Sequence, residues 1–510
     1  MINSAVGLTC CIISSVLSFF LNAVFIRLLG LEYAGVNGLF FSILSILNIA
    51  DLGISNAILY RLYKSISLGN DEDTSMYLSA YRKICFAVSA FICLAGLCCM
   101  PFLKYLIKSQ PSFSEPLWAL FSVMLATTVV AHALGYRHIM LIAKQERFLK
   151  TIISYISTFL CHGLQILVLY YLKNIYLFLG MRLFTSLLDY LISGIITKKR
   201  YHITWYSAKK LSREVRISMA KDIGSLAVFK VCRTLDANVD AFLISKFIDI
   251  STTAIYGSFL MIFNALHELL GVFNDSMKAS IGDLYTKGDY NRFEQVFYQS
   301  FHLTFLLYGV SATVLTPFVS DFAVVWIGHT LPDICIYVIL LNFIMYGFGM
   351  NIAAFRNSMG IFKKGWLRPA FTALFNLLFS LLLVQKLGLI GTLLGTTIAR
   401  ILTLTWYDPY LVLTHGMGRS PWKYYFRYII YVLILAVASQ SLLFLKKRLP
   451  PMASFKLAFA YGFLYLFCAG VAILSVGCLF PEQKALLHRG IVALKNIGKR
   501  FVHSDTMASA

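Results

Sequence analysis

Apolar runs of roughly 20 residues or more recur along the whole chain, separated by short stretches of charged and turn-forming residues. They predict fourteen helical spans near residues 4–27, 36–60, 84–106, 116–136, 150–172, 175–197, 222–245, 252–275, 296–319, 333–355, 366–385, 387–413, 425–445 and 456–480. The runs are far longer than barrel strands, and hydrocarbon offers backbone amides no partner, so helices are required. The first run, within MINSAVGLTCCIISSVLSFFLNAVFIRLLG, lacks a charged leader and a small-residue cleavage site, and it reads as a span rather than a signal peptide.

Composition strengthens this picture. The 510 residues are 59% hydrophobic and 13% charged, with a mean hydropathy of +0.74. A soluble domain averages about 25% charged residues, so a soluble globular fold is excluded. The expectation is an all-α polytopic membrane protein with little room for extramembrane domains. The net charge of +22 would suggest nucleic acid in a soluble protein; in a membrane protein it points to cytoplasmic loops and anionic lipid. Roughly 30 Lys and Arg follow even-numbered spans or lie in the C-terminal tail, against roughly 10 after odd-numbered spans, which places both termini in the cytoplasm. The eleven cysteines fall mostly inside apolar runs without metal-site spacing and read as small hydrophobes.

An internal repeat organises the runs. With an offset of about 219, residues 26–48 lie over 245–267, matching Gly38 with Gly257 and Asn48 with His267. Arg182 and Thr185 recur as Arg400 and Thr403, followed by Asp189-Tyr190 and Asp408-Pro409-Tyr410. Six spans per repeat preserve orientation, so parallel repeats with a cleft between two bundles are expected. The segments are an N-terminal lobe at 1–200, a basic linker at 201–221, a second lobe at 222–415, two further spans at 416–480 and a tail at 481–510. In that tail Leu487, Ile491, Leu494 and Phe501 share one face of a candidate interfacial helix; an ordinary solvated basic tail is the alternative.

Ionisable residues inside spans cost at least about 3 kcal/mol each on insertion scales and default to a cavity, pathway or pair. In the seventh span Lys230, Arg233, Asp236 and Asp240 are spaced to share one helix face. Such a stripe could line a wet cavity, neutralise itself locally, or both. Asp51 in the second span and His267-Glu268 in the eighth are candidates for proton or ion coupling; helix-to-helix hydrogen bonding is the alternative. Arg182 and Arg400 can make bidentate contacts to phosphate from opposite walls of the expected cleft. No phosphate-binding glycine loop, His-x-x-x-His pair or long loop able to host a soluble active site is present, so an enzyme is the weaker class, and no metal or cofactor is expected.

Residues 25–73, FIRLLGLEYAGVNGLFFSILSILNIADLGISNAILYRLYKSISLGNDED, and 254–289, AIYGSFLMIFNALHELLGVFNDSMKASIGDLYTKGD, resemble bacterial polysaccharide flippases of the multidrug/oligosaccharidyl-lipid/polysaccharide (MOP) exporter superfamily. The resemblance extends coarsely along the whole chain. It implies two six-helix lobes with two additional C-terminal helices, alternating access, and residence in the bacterial inner membrane. The implied substrate is an undecaprenyl-diphosphate-linked oligosaccharide carried to the outer leaflet with an ion or proton gradient. The implied partners are membrane lipids, the polysaccharide polymerase and the glycosyltransferases of the same pathway. It also implies that Arg27, Arg61, Lys230 and Arg233 meet the diphosphate, although the acids beside Arg233 put clamping there in doubt. A multidrug or toxin exporter of the same superfamily, favoured by Asp51, Asp236, Asp240 and Glu268, is the first alternative. A membrane polysaccharide polymerase is the second; the outer loops are short for it.

Overall fold

The computed structural model describes residues 2–48, 54–201, 213–361 and 365–487, and among them the regular elements are all helices. In chain order these are α1 (Ile2–Leu29), α2 (Leu31–Leu47), α3 (Ile54–Ser67), α4 (Asp71–Cys99), α5 (Leu117–Leu134), α6 (Tyr136–Ala143), α7 (Arg147–Tyr171), α8 (Ile175–Arg200) and α9 (Arg213–Phe247). They continue with α10 (Ile250–Thr286), α11 (Tyr290–Ile327), α12 (Asp333–Ser358), α13 (Arg368–Leu387), α14 (Leu389–Arg400), α15 (Trp406–Tyr410), α16 (Trp422–Lys446) and α17 (Phe455–Gly477). Polar residues between the apolar runs set the boundaries. Asn70, Asn174, Asp289 and Ser454 each accept a hydrogen bond from the backbone N–H three residues on, capping α4, α8, α11 and α17. Gly328, at φ 77°, closes α11 in the left-handed conformation that glycine adopts without strain.

Twelve helical segments among the described residues are long and apolar enough to cross a membrane. Two of the fourteen expected spans do not meet that standard, for different reasons. The span expected at 36–60 is divided: α2 ends at Leu47 with Asn48 as its C-cap, and α3 begins at Ile54. The span expected at 222–245 is helical within α9, but Lys230, Arg233, Asp236 and Asp240 make it too charged to pass on composition. The expected twelfth span is α14, a π-helical stretch, α15 with Pro409 inside it, and a second π-helical stretch ending at Gly416. Proline lacks the N–H that an α-helix needs, and π turns flank the interruption. The linker residues 202–212, Asp51, and the tail beyond Leu487 lie outside the described residues.

The chain divides into two compact units, Met1–Ile262 with Pro369–Thr396, and Phe263–Arg368 with Thr397–Ala510. Residues 222–262 and 369–396, expected with the second lobe, therefore cluster with the first. Local bonds account for it. Ser245 on α9 donates its hydroxyl to Leu106 O at 3.0 Å and accepts from Lys108 N at 3.1 Å, while Asn22 on α1 donates to Ser258 on α10 at 2.9 Å. Gly35 on α2 meets the backbone of Ile250 so closely that a Cβ there would overlap its carbonyl.

In the second unit α12 is apolar over most of its surface and largely buried, its Asn342, Asn351 and Arg356 included, so protein surrounds it. Only 17% of the most apolar window of α16 is buried, as befits a helix that faces lipid. Phe301, Phe305 and Phe348 pack with Tyr431, whose ring stacks on Phe305 at 4.0 Å. Fully buried His302 is bonded to the Tyr431 hydroxyl at 2.7 Å and to Gln483 Oε1 at 2.8 Å, which ties α16 and the helical residues 481–487 beyond α17 to α11. All eleven cysteines are free thiols; Cys85, Cys161 and Cys335 are buried, whereas Cys98 and Cys478 are exposed.

Candidate functional site

Three helices of the first unit turn their polar stripes toward one cavity of about 440 Å³. On α7, Ser154, Ser157, Thr158, Cys161, His162 and Gln165 recur at the three- and four-residue spacing of one helix face. Arg182, Thr185, Ser186 and Asp189 do the same on α8, and Ser18 and Asn22 on α1 complete the wall with Asn37 of α2. Thr158 donates to Ser154 O at 2.8 Å and Thr185 to Met181 O at 2.9 Å, so these hydroxyl protons are committed to backbone and their lone pairs remain. Gln165 donates to Phe178 O at 3.1 Å. Asp189 is held by His138 Nε2 at 3.1 Å and by the Ser154 hydroxyl at 3.1 Å. Arg182 is exposed, lies 5.7 Å from the Phe41 ring centroid, and has no ion-pair partner among the described residues.

The repeat-related arginine is placed differently. Arg400, in the second unit, donates to both the backbone and side-chain oxygens of Asn342 at 3.1 Å and lies 5.9 Å from the Tyr346 ring. One nitrogen of Arg400 thus has protein acceptors, whereas Arg182 has no ion-pair partner among the described residues. The repeat also appears in a second pair of bonds. His138 holds Asp189 in the first unit, and at the same offset Arg356 holds Asp408 at 2.8 Å in the second, with Arg368 on the same carboxylate at 3.1 Å.

A second constellation in the first unit gathers around the acids of α9. Asp236 accepts from Asn376 Nδ2 at 2.9 Å, and Asp240, 8% exposed, accepts from the Tyr256 hydroxyl at 2.9 Å. Thr396 Oγ1 lies 3.0 Å from Asp240 Oδ1, 3.2 Å from Asp240 Oδ2 and 3.0 Å from Asn376 Oδ1. Ser380 Oγ lies 3.0 Å from both Asn376 Oδ1 and Thr392 O. Each hydroxyl has one proton, so these two cannot serve the five contacts together. The cluster holds more acceptor oxygens than hydroxyl protons, and its oxygen donors suit a proton or a hard cation rather than a soft metal. Gly395 brings α14 against α13 here: a Cβ would overlap Ser380. Gly395→Ala is expected to force the helices apart, costing about 1–3 kcal/mol, read as a lowered melting midpoint of the detergent-solubilised protein.

The remaining expected residues are spread over both units. Arg27 and Arg233 are exposed, and Arg61 and Lys230 are half-buried, in the first unit. In the second, His267 Nδ1 is 3.2 Å from the Tyr308 hydroxyl and its ring packs against Phe343 and Tyr346, whereas Glu268, the next residue around the helix, is exposed. The structure thus joins Asp236 with Asp240 through Asn376 and Thr396, and Arg182 with a polar wall whose α7 groups are absent from the sequence-based expectation and whose one carboxylate among the described residues is Asp189. The missed signal was the α7 stripe, which contains hydroxyl, amide and imidazole groups but no fixed charge.

No family profile and no curated protein matches the sequence. Solved structures do match in fold. The lipid II flippase MurJ in an inward closed conformation superposes with a TM-score of 0.72 at 13% identity, covering 96% of this chain and 100% of that one. An inward-facing multidrug resistance MATE family transporter of the MOP superfamily gives 0.62 at 13% identity over 77% of this chain and 93% of its own. The Vibrio cholerae MATE transporter VcmN gives 0.56 at 15% identity over 80% and 96%. This multi-pass, all-helical chain therefore has the fold shared by flippases and transporters of the MOP superfamily.

Proposed function

We propose that the protein is a flippase that carries lipid-linked oligosaccharide across the bacterial inner membrane by alternating access, driven by a cation or proton held at the Asp236–Asp240 cluster. The observation that carries this reading is the cavity of the first unit, where Arg182 faces hydroxyls and amides without an ion-pair partner among the described residues. A guanidinium in a membrane span is expensive unless it serves a pathway or ligand, and walls rich in hydroxyl and amide groups suit hydroxyl-rich cargo. The match covering 96% of the chain leaves too few residues unaligned to omit α16 and α17, and it is to a lipid flippase; the two transporter matches cover about four-fifths. The drug-exporter alternative would use an acid for cationic drugs, but the acid lining this cavity, Asp189, already accepts from His138 and Ser154. Arg27, Arg61, Lys230, Arg233 and Arg400 remain further cargo contacts in this reading, and the pathway's polymerase and glycosyltransferases its partners.

In proteoliposomes loaded with fluorescent lipid-linked oligosaccharide, the full chain is expected to expose the label to an external quencher, and Arg182→Gln to slow this by about tenfold. Unchanged flipping by Arg182→Gln would remove the cavity from the transport path.

A further inference from the structure

We infer that the first-unit cavity reads the glycan part of the cargo and selects a sugar bearing a single carboxylate, with Arg182 as the anion contact. This rests on the flippase reading and specifies the chemistry of its cargo. Among the described residues the cavity offers one guanidinium, on α8, and places the carboxylate of Asp189 on the same helix face seven residues along. That spacing is about 10 Å. A diphosphate concentrates at least two negative charges and is best met by several cations; here a second charge would approach Asp189 rather than another cation. A carboxylate matches the planar fork of one arginine, and Phe41 backs the guanidinium.

The rest of the wall fits a pyranose ring. Thr158 and Thr185 have given their protons to backbone carbonyls, so they present acceptors to sugar hydroxyls. His162 adds a buried ring nitrogen, Nδ1, with no hydrogen-bond partner among the described residues. At about 440 Å³ the space lies within the range of small-molecule sites, roughly 300–1,000 Å³.

The test uses the detergent-solubilised full chain and titration calorimetry with three probes: a glucuronic-acid-terminated disaccharide, its neutral glucose analogue and inorganic pyrophosphate. The acidic disaccharide is expected to bind about tenfold or more tighter than either of the others. Arg182→Gln should abolish that preference and Arg182→Lys should retain part of it, while Arg448→Gln, in the hairpin between α16 and α17, should leave it intact. Equal binding of the acidic and neutral sugars, tighter binding of pyrophosphate, or an undiminished preference in Arg182→Gln would overturn the proposal. Should Arg182→Gln misfold, Arg182→Lys carries the comparison: a preference weaker than wild type is expected, and one equal to wild type would overturn the proposal. Failure of the flippase reading looks different: vesicles containing the full chain would then flip neither acidic nor neutral lipid-linked oligosaccharide, whatever the titrations show.

Discussion

Asp408→Ala is expected to remove about 3–5 kcal/mol of stability, the largest loss from any single substitution considered. The carboxylate is 1% exposed and is shared by Arg356, 8% exposed, and Arg368, 15% exposed. Removing it leaves two guanidinium groups facing each other in the protein interior, where neither water nor lipid headgroups can take over. The cost comes from the stranded cations more than from the attraction lost. Asp408 also sits immediately before Pro409, between two π-helical stretches, so its ion pairs fasten a segment that has given up regular helical bonding. Asp408→Asn, which keeps an acceptor oxygen, should lose less than Asp408→Ala. Denaturation midpoints in mixed micelles would show the order wild type, Asn, Ala; an Ala variant within about 0.5 kcal/mol of wild type would mean that the triad contributes no stability.

The second large effect concerns coupling. Asp240→Asn replaces a charged acceptor with an amide of nearly the same shape, so the Tyr256 and Thr396 contacts can persist while the negative charge is lost. Flipping driven by an imposed sodium or proton gradient is expected to fall at least about tenfold, because a site that holds a charged ion in one state and releases it in the other supplies the differential binding that shifts the equilibrium. Exchange of cargo down its own gradient, which needs no ion, should continue. An Asp240→Asn protein that still responds fully to both gradients would move the coupling site elsewhere, with His267 and Glu268 next in line.

Much of the fold is legible in the sequence because lipid imposes long apolar helices: run length places α1, α5, α7, α8, α12 and α13 to within a few residues, whereas α4, α10 and α11 extend six to thirteen residues beyond their apolar runs and the expected twelfth span is broken into α14 and α15. The division after Leu47 was harder to foresee, since Asn48, Asp51, Ser55 and Asn56 could equally mark a polar face on one continuous helix. Grouping by repeat also differs from grouping by contact. The repeat assigns α9 and α13 to the second half, whereas the Asn376–Asp236 and Thr396–Asp240 bonds join them within the first compact unit.

The site was legible in part, and the division follows charge. Counting ionised residues in spans finds Arg182, Asp236 and Asp240, because each is costly enough to stand out against an apolar run. The same count passes over Ser154, Thr158, His162 and Gln165, which are neutral and cheap singly, although their spacing traces one face of α7 as clearly as any charge. Asn376 and Thr396 were missed for a different reason: their acidic partners are more than a hundred residues earlier, and no local pattern connects them.

The central claim is that Arg182 contacts transported cargo inside the first unit. The most direct measurement is flipping of a lipid-linked oligosaccharide in proteoliposomes by Asn37→Cys, a position on the cavity wall, before and after reaction with a bulky thiol reagent. Cys161, which lines the same cavity, and Cys98 and Cys478, both exposed, would first be changed to Ser. The account predicts that cargo protects Cys at position 37 from the reagent and that the reacted protein no longer flips. Free labelling in the presence of saturating cargo, with flipping unimpaired, would contradict it.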